Sequence, residues 1–259
     1  MKRAPGWLAP LRRREGFSLI ELVVVVGILT LLALLAVGGG RWAFDAGRAA
    51  VCQNNLRQLV EANWAYAGDH GTFVAAASDI NEANACRWHG VRGADGAFDA
   101  AGGPLTGYLG GAGVSGIVRA CPAFRPTAWG FEASCGGYGY NAQGIGSQAC
   151  LPPPNAGTAK GVPPAVLTHP ATTVMFADAA YLQGSGAKAR LIEYSFCEPR
   201  TWSVGGTPWP TIHFRHRGRA NVAWCDGHVT AELRTATGAR GAEAGLGWFG
   251  PEAADLFSP

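Results

Sequence analysis

The sequence predicts an α+β fold: one long N-terminal helix packed on an antiparallel β-sheet, with long loop insertions. Three observations carry this. Residues 22–37 read LVVVVGILTLLALLAV, without a charge. Further on, Cys52, Leu56, Leu59, Val60, Asn63 and Ala67 recur at approximately helical spacing. Towards the C-terminus, 172–177 and 221–225 are strand-like, and Asp226-Gly227 is a strong hairpin signal leading into His228-Val229-Thr230.

The helix is justified first. With 17–21 added, the apolar segment has 21 residues, about 31 Å as a helix. That matches a hydrocarbon core of about 30 Å. Lys2, Arg3, Arg12, Arg13 and Arg14 precede it and place that end in the cytoplasm. The run closes on Gly38-Gly39-Gly40 and offers no A-x-A site, unlike an ordinary secretory signal. Glu21 lies inside the apolar segment, where a carboxylate is costly and needs a partner. From 41 to 71 the pattern turns amphipathic, as for a helix that leaves lipid and packs on a sheet. The three glycines predict a weak or bent point, at about 1 kcal/mol each. Gly68-Asp69-His70-Gly71 predicts the stop. The domains are thus 1–16 leader, 17–40 membrane helix, 41–71 amphipathic continuation and 72–259 globular part.

Gly16-Phe17-Ser18-Leu19-Ile20-Glu21, after a basic leader and before an apolar run, resembles the prepilin cleavage and methylation signal of type IV pilins and type II secretion pseudopilins. The resemblance implies a pilin-like fold, cleavage between Gly16 and Phe17 by a membrane prepilin peptidase, and N-methylation of Phe17. It implies that Glu21 then pairs with the new Phe17 ammonium of a neighbouring subunit and sets the axial register. The C-terminal sequence RHRGRANVAWCDGHV carries His216, nine residues, then Asp226-Gly227, and so resembles the H-X9-DG subgroup of these proteins. Cys121-Pro122-Ala123, Tyr138-Gly139-Tyr140-Asn141 and 173–178 resemble further landmarks of that subgroup.

The middle, 72–165, is poorly periodic and rich in Ala, Gly and Pro, and reads as long surface loops. Seven cysteines without a C-x-x-C pair argue against a zinc ribbon or a thioredoxin-like motif. Outside the inner membrane they permit disulfides, with the staple expected among Cys121, Cys135 and Cys150. His213, His216, Asp226 and His228 cluster in sequence, and Asp178 ends an earlier strand. One reading is a metal site using Asp178, His216 and Asp226. The favoured one is structural: Asp226-Gly227 makes a turn, and His216 bonds to it and fixes the loop 217–220. No metal and no cofactor is expected.

Charge narrows the partners. The formal net charge is +3, but from residue 17 onward there are 16 basic and 17 acidic residues, a net of −1. The basic excess belongs to the leader. Arg215, Arg217 and Arg219 form a small candidate patch, and a near-neutral domain argues against nucleic acid. No nucleophile, phosphate-loop or metalloprotease motif is present, so no enzyme is expected. The reading is a structural subunit of a type II secretion or type IV pilus-like filament, single-pass in the inner membrane with its globular part periplasmic or at the cell surface. Its partners are the prepilin peptidase and methyltransferase, homologous subunits and an inner-membrane assembly platform. The alternative is a pilin-type anchor displaying a module that binds protein, polysaccharide or DNA.

Overall fold

The computed structural model describes residues 16–110, 120–252 and 255–259, apart from the side chains of 36–39 and 41. The basic leader lies outside the described residues. The chain divides between Phe44 and Asp45 into two compact units.

A single helix, α1 (Leu19–His70), runs 52 residues. Helical hydrogen bonding runs through Gly38–40 without a break, the helical propensity of both flanks outweighing the glycine cost. It ends as expected, with Gly71 in the left-handed region at φ +74° and its N–H on the Ala67 carbonyl at 2.8 Å. Within the first unit every large apolar side chain from Leu19 to Leu35 is exposed. Among the described residues no helix is long and apolar enough to cross a membrane. The continuous described stretch, 19–35, falls short of the roughly 20 residues of a span, and the sequence carries the apolar run on to Val37.

In the second unit α1 is one-sided. Cys52, Leu56, Leu59, Val60, Asn63 and Ala67 are all buried, as their spacing predicts. They meet a five-stranded sheet in the order Val229–Leu233, Arg219–Trp224, Val174–Asp178, Tyr138–Asn141, Phe196–Cys197. All neighbours are antiparallel except the last pair. The sheet is therefore mixed, not purely antiparallel. After Val174–Asp178 the chain forms a hairpin, Tyr181–Gln183 with Arg190–Ile192, and returns at the far side of Tyr138–Asn141, running in its direction.

The sheet is covered on both faces. Tyr138, Tyr140 and Phe176 share one core with the helix residues, while Ile212, Phe214, Val222, Phe249 and Phe257 form a second. Val174–Asp178 is consequently buried at every position. Polar side chains of α1 meet polar groups of the sheet: Asn55 Nδ2 and Asn63 Nδ2 donate to the hydroxyls of Tyr138 and Tyr140 at 3.0 Å each. Trp64 Nε1 donates to the Cys225 carbonyl at 2.7 Å. Each such bond keeps a buried polar atom from costing about 1–3 kcal/mol.

The middle is less loop-like than its composition suggests. It holds a small antiparallel sheet of Cys86–Arg87, Gly90–Arg92 and Phe98–Asp99, and a strand of the main sheet, Tyr138–Asn141. That strand has only four residues, too few for periodicity to declare. Its glycine is required by packing, because a Cβ at Gly139 would lie 2.4 Å from the Phe196 carbonyl carbon.

Candidate functional site

The Gly16–Phe17 peptide bond lies in non-helical chain immediately before α1. Phe17 is 87% exposed. A non-helical, accessible peptide is what a peptidase cleft requires. Ser18 caps the helix: Glu21 N–H donates to Ser18 Oγ at 3.2 Å, and Ser18 N–H donates to Glu21 Oε2 at 2.8 Å. This reciprocal capping box gives Glu21 a partner within its own chain. The S-x-x-E spacing carries this capping box in the sequence itself, beside the intersubunit partner that the resemblance implies for Glu21.

The second set of residues gathers around Asp178, at the end of its strand and fully buried. Arg215 Nη2 lies 2.7 Å from Asp178 Oδ1. His216 Nε2 lies 3.3 Å from Oδ2, which also accepts the Asn221 N–H at 2.7 Å. Burial alone would raise the Asp178 carboxyl, but Arg215, then His216 and the Asn221 N–H, overcome it and hold it below the ordinary value. Arg215 also donates to the carbonyls of Gly137 and Ala179 and lies over the Phe124 ring at 4.9 Å. His213, beside it, is pushed down to about 3 by burial and then by the Arg215 charge, so it stays neutral.

This centre corrects the expected role of His216. Its side chain meets Asp178, not the Asp226-Gly227 turn. The loop after it needs no such tie. Arg217 and Gly218 both have positive φ, +56° and +81°, and His216 and Arg219 exchange both backbone hydrogen bonds. That is a two-residue hairpin of the primed type. Asp226-Gly227 makes its own turn as expected, with Gly227 at φ +96° and Asp226 Oδ1 accepting the His228 N–H at 3.1 Å. Asp178 and His216 are thus brought together, and Asp226 is not with them.

The cysteine pairing differs as well. Cys52 of α1 is bonded to Cys121, with 5.1 Å between their Cα atoms, whereas Cys135 and Cys150 are free thiols. A partner 69 residues away, on a helix, is invisible to loop spacing. Closing that loop contributes about 4 kcal/mol in the chain-entropy account. Ligand atoms of Cys52, Cys121 and His216 lie within 4.8 Å of one another. A cation fits this set poorly: sulfurs bonded to each other carry no thiolate charge, and Arg215 Nε stands 3.4 Å from Cys121 Sγ. Of the three arginines, the Arg215 side chain is buried, while Arg217 and Arg219 are exposed, Arg219 donating to the Ala231 carbonyl at 2.8 Å.

One constellation escaped the sequence. Glu132 takes a buried, two-pronged ion pair from Arg87 and the hydroxyl proton of Ser195 at 2.6 Å. His89 Nε2 faces Ser195 Oγ at 2.7 Å and is pushed down to about 3 by burial. A hydroxyl that donates to Glu132 has no proton left for His89, so the imidazole donates to it. That is the reverse of a serine–base pair.

Residues 11–37 match the family model of the prokaryotic N-terminal methylation motif. No curated protein and no solved structure matches the chain. The N-terminus is accordingly a prepilin-type signal, which indicates a type IV pilin-like or pseudopilin precursor.

Proposed function

We propose that this chain is a structural subunit of a type II secretion or type IV pilus-like filament. It is cleaved after Gly16, methylated on Phe17, held in the inner membrane by the helix over 17–40, and joined to homologous subunits through an assembly platform. It carries its globular part into the periplasm or to the cell surface and has no reaction of its own. The observation that carries this reading is the pairing of an accessible, capped cleavage point with an apolar helix surface whose large apolar side chains, from Leu19 to Leu35, are all exposed, Glu21 being its one charge. Such a surface is unsustainable in water and asks for lipid or neighbouring helices. The matched methylation motif over 11–37 supports it.

Glu21 has two duties in this reading. It caps α1 in the single chain, and it offers a carboxylate to the Phe17 ammonium of the next subunit, where low dielectric strengthens the pair. Co-expression with a prepilin peptidase and intact mass measurement test the reading. A mass loss equal to residues 1–16, with one added methyl group, is expected. An uncut chain, or a cut after residue 37, overturns it. Glu21→Ala is expected to insert into the membrane normally and to drop out of filaments, and normal filament incorporation would remove the assembly role.

A further inference from the structure

Apart from the Asp178 centre, a cavity of about 230 Å³ is lined by Ala142 and Gln143, just after the Tyr138–Asn141 strand, by one carboxyl group and by three aromatic side chains. Glu198 lines it and is only 3% exposed. Its backbone N–H is satisfied by Thr211 Oγ1 at 3.0 Å, and Gln143 donates to its carboxyl. Its Oε2 is buried and has no hydrogen-bond partner among the described residues. The walls are Tyr194, Phe196 and Trp202. Tyr194 stands edge-on to Phe196 at 5.3 Å between ring centroids and is tilted by 44° to Trp202 at 6.2 Å, so the three rings form a corner. Ser147 also lines the cavity, and among the described residues no lysine, arginine or histidine does.

We infer that this cavity binds a primary ammonium group on a short alkyl stem, with Glu198 as its counter-ion and Trp202, Tyr194 and Phe196 around the stem. Three considerations select that chemistry. A buried carboxylate oxygen without a donor is costly, and an ammonium supplies three N–H donors and a compensating charge. Ring faces attract a cation and accept an alkyl chain. The volume lies below the roughly 300–1,000 Å³ of sites for larger ligands. The group can come from a free amine or from a lysine side chain of another protein, and both present the same atoms.

The test is calorimetry on the full-length chain in detergent micelles, with n-butylammonium as probe and n-butanol as its neutral counterpart. Butylammonium is expected to bind at least about tenfold more tightly than butanol. Glu198→Gln should weaken butylammonium about tenfold or more and leave butanol unchanged. Trp202→Leu, at the half-buried rim, should weaken it several-fold. Equal affinity for the two probes, or full affinity in Glu198→Gln, overturns the proposal, as does the absence of any heat with butylammonium.

A pH series on the unaltered chain gives a readout independent of the variants. Burial first pushes the Glu198 carboxyl up to about 7, so butylammonium affinity should rise from pH 6 to pH 8, approaching tenfold per unit below the midpoint. The titratable neighbours are Tyr194 and Cys197, both pushed above their ordinary values by burial and therefore neutral throughout, while Gln143 does not titrate. A flat profile overturns the proposal. Nα-acetyl-lysine amide separates the sources: binding at least as tight as butylammonium assigns the pocket to a lysine side chain, and weaker binding assigns it to a free amine.

Discussion

Asp178 and Glu198 are both buried carboxyl groups in the same unit, yet their surroundings drive them in opposite directions. Asp178 receives a guanidinium, an imidazole and a backbone N–H, and stays ionised. Among the described residues Glu198 receives only Gln143, and it is pushed up to about 7. Burial is the first influence on each, so the difference lies wholly in the partners. A carboxylate whose partners are all supplied by the chain serves the fold. One left with an oxygen unmatched, in the lining of a cavity, is suited to a ligand.

The comparison can be broken most severely at Asp178. Asp178→Asn removes the charge but leaves Arg215 buried, and should cost about 3–5 kcal/mol, measured by denaturant unfolding. A loss below about 1 kcal/mol would mean that the pair contributes little. Cys52→Ser releases the tie that holds Cys121 beside Arg215 and should cost up to about 4 kcal/mol. Unfolding of the unaltered chain with and without reductant should reproduce that loss.

The finest contrast is in pH. His89 and His213 are held down to about 3, so the stability tied to their neutral forms is complete above about 6.5 and is lost as pH falls towards 3. Glu198, raised, acts oppositely: its contribution is complete below about 4.5 and is lost as pH rises through 7. Between those limits the two effects oppose each other. Glu198→Gln should therefore steepen the rise of stability with pH from 4.5 to 6.5 by about one proton, or about 1.4 kcal/mol per unit. An unchanged slope would show that Glu198 titrates ordinarily. At pH below 4.5 the variant should differ little from the parent.

The helix shows how much could be read in advance. Cys52, Leu56, Leu59 and Val60 declare their buried face by spacing alone, because a helix repeats its environment every 3.6 residues. Asp226-Gly227 declares its turn because only a few residues tolerate that backbone. The four-residue strand at Tyr138 and the Arg87–Glu132 pair repeat nothing and lie in a stretch of loop-like composition. The motif marks His216 but not its partner, because the nearest carboxylate in sequence, Asp226, is not the one it meets in space.

The chain's own order of residues determined the cleavage signal, the apolar run, the helix with its buried face and the hairpin turn, all of which are local and obey backbone geometry or hydrophobic period. Tertiary structure decided which cysteine closes on Cys52, that His216 serves Asp178, and that Glu198 lines a cavity instead of meeting a cation of its own. Those outcomes depend on which strands become neighbours. Neighbourhood is set by burial summed over the whole core, and no single segment carries that sum.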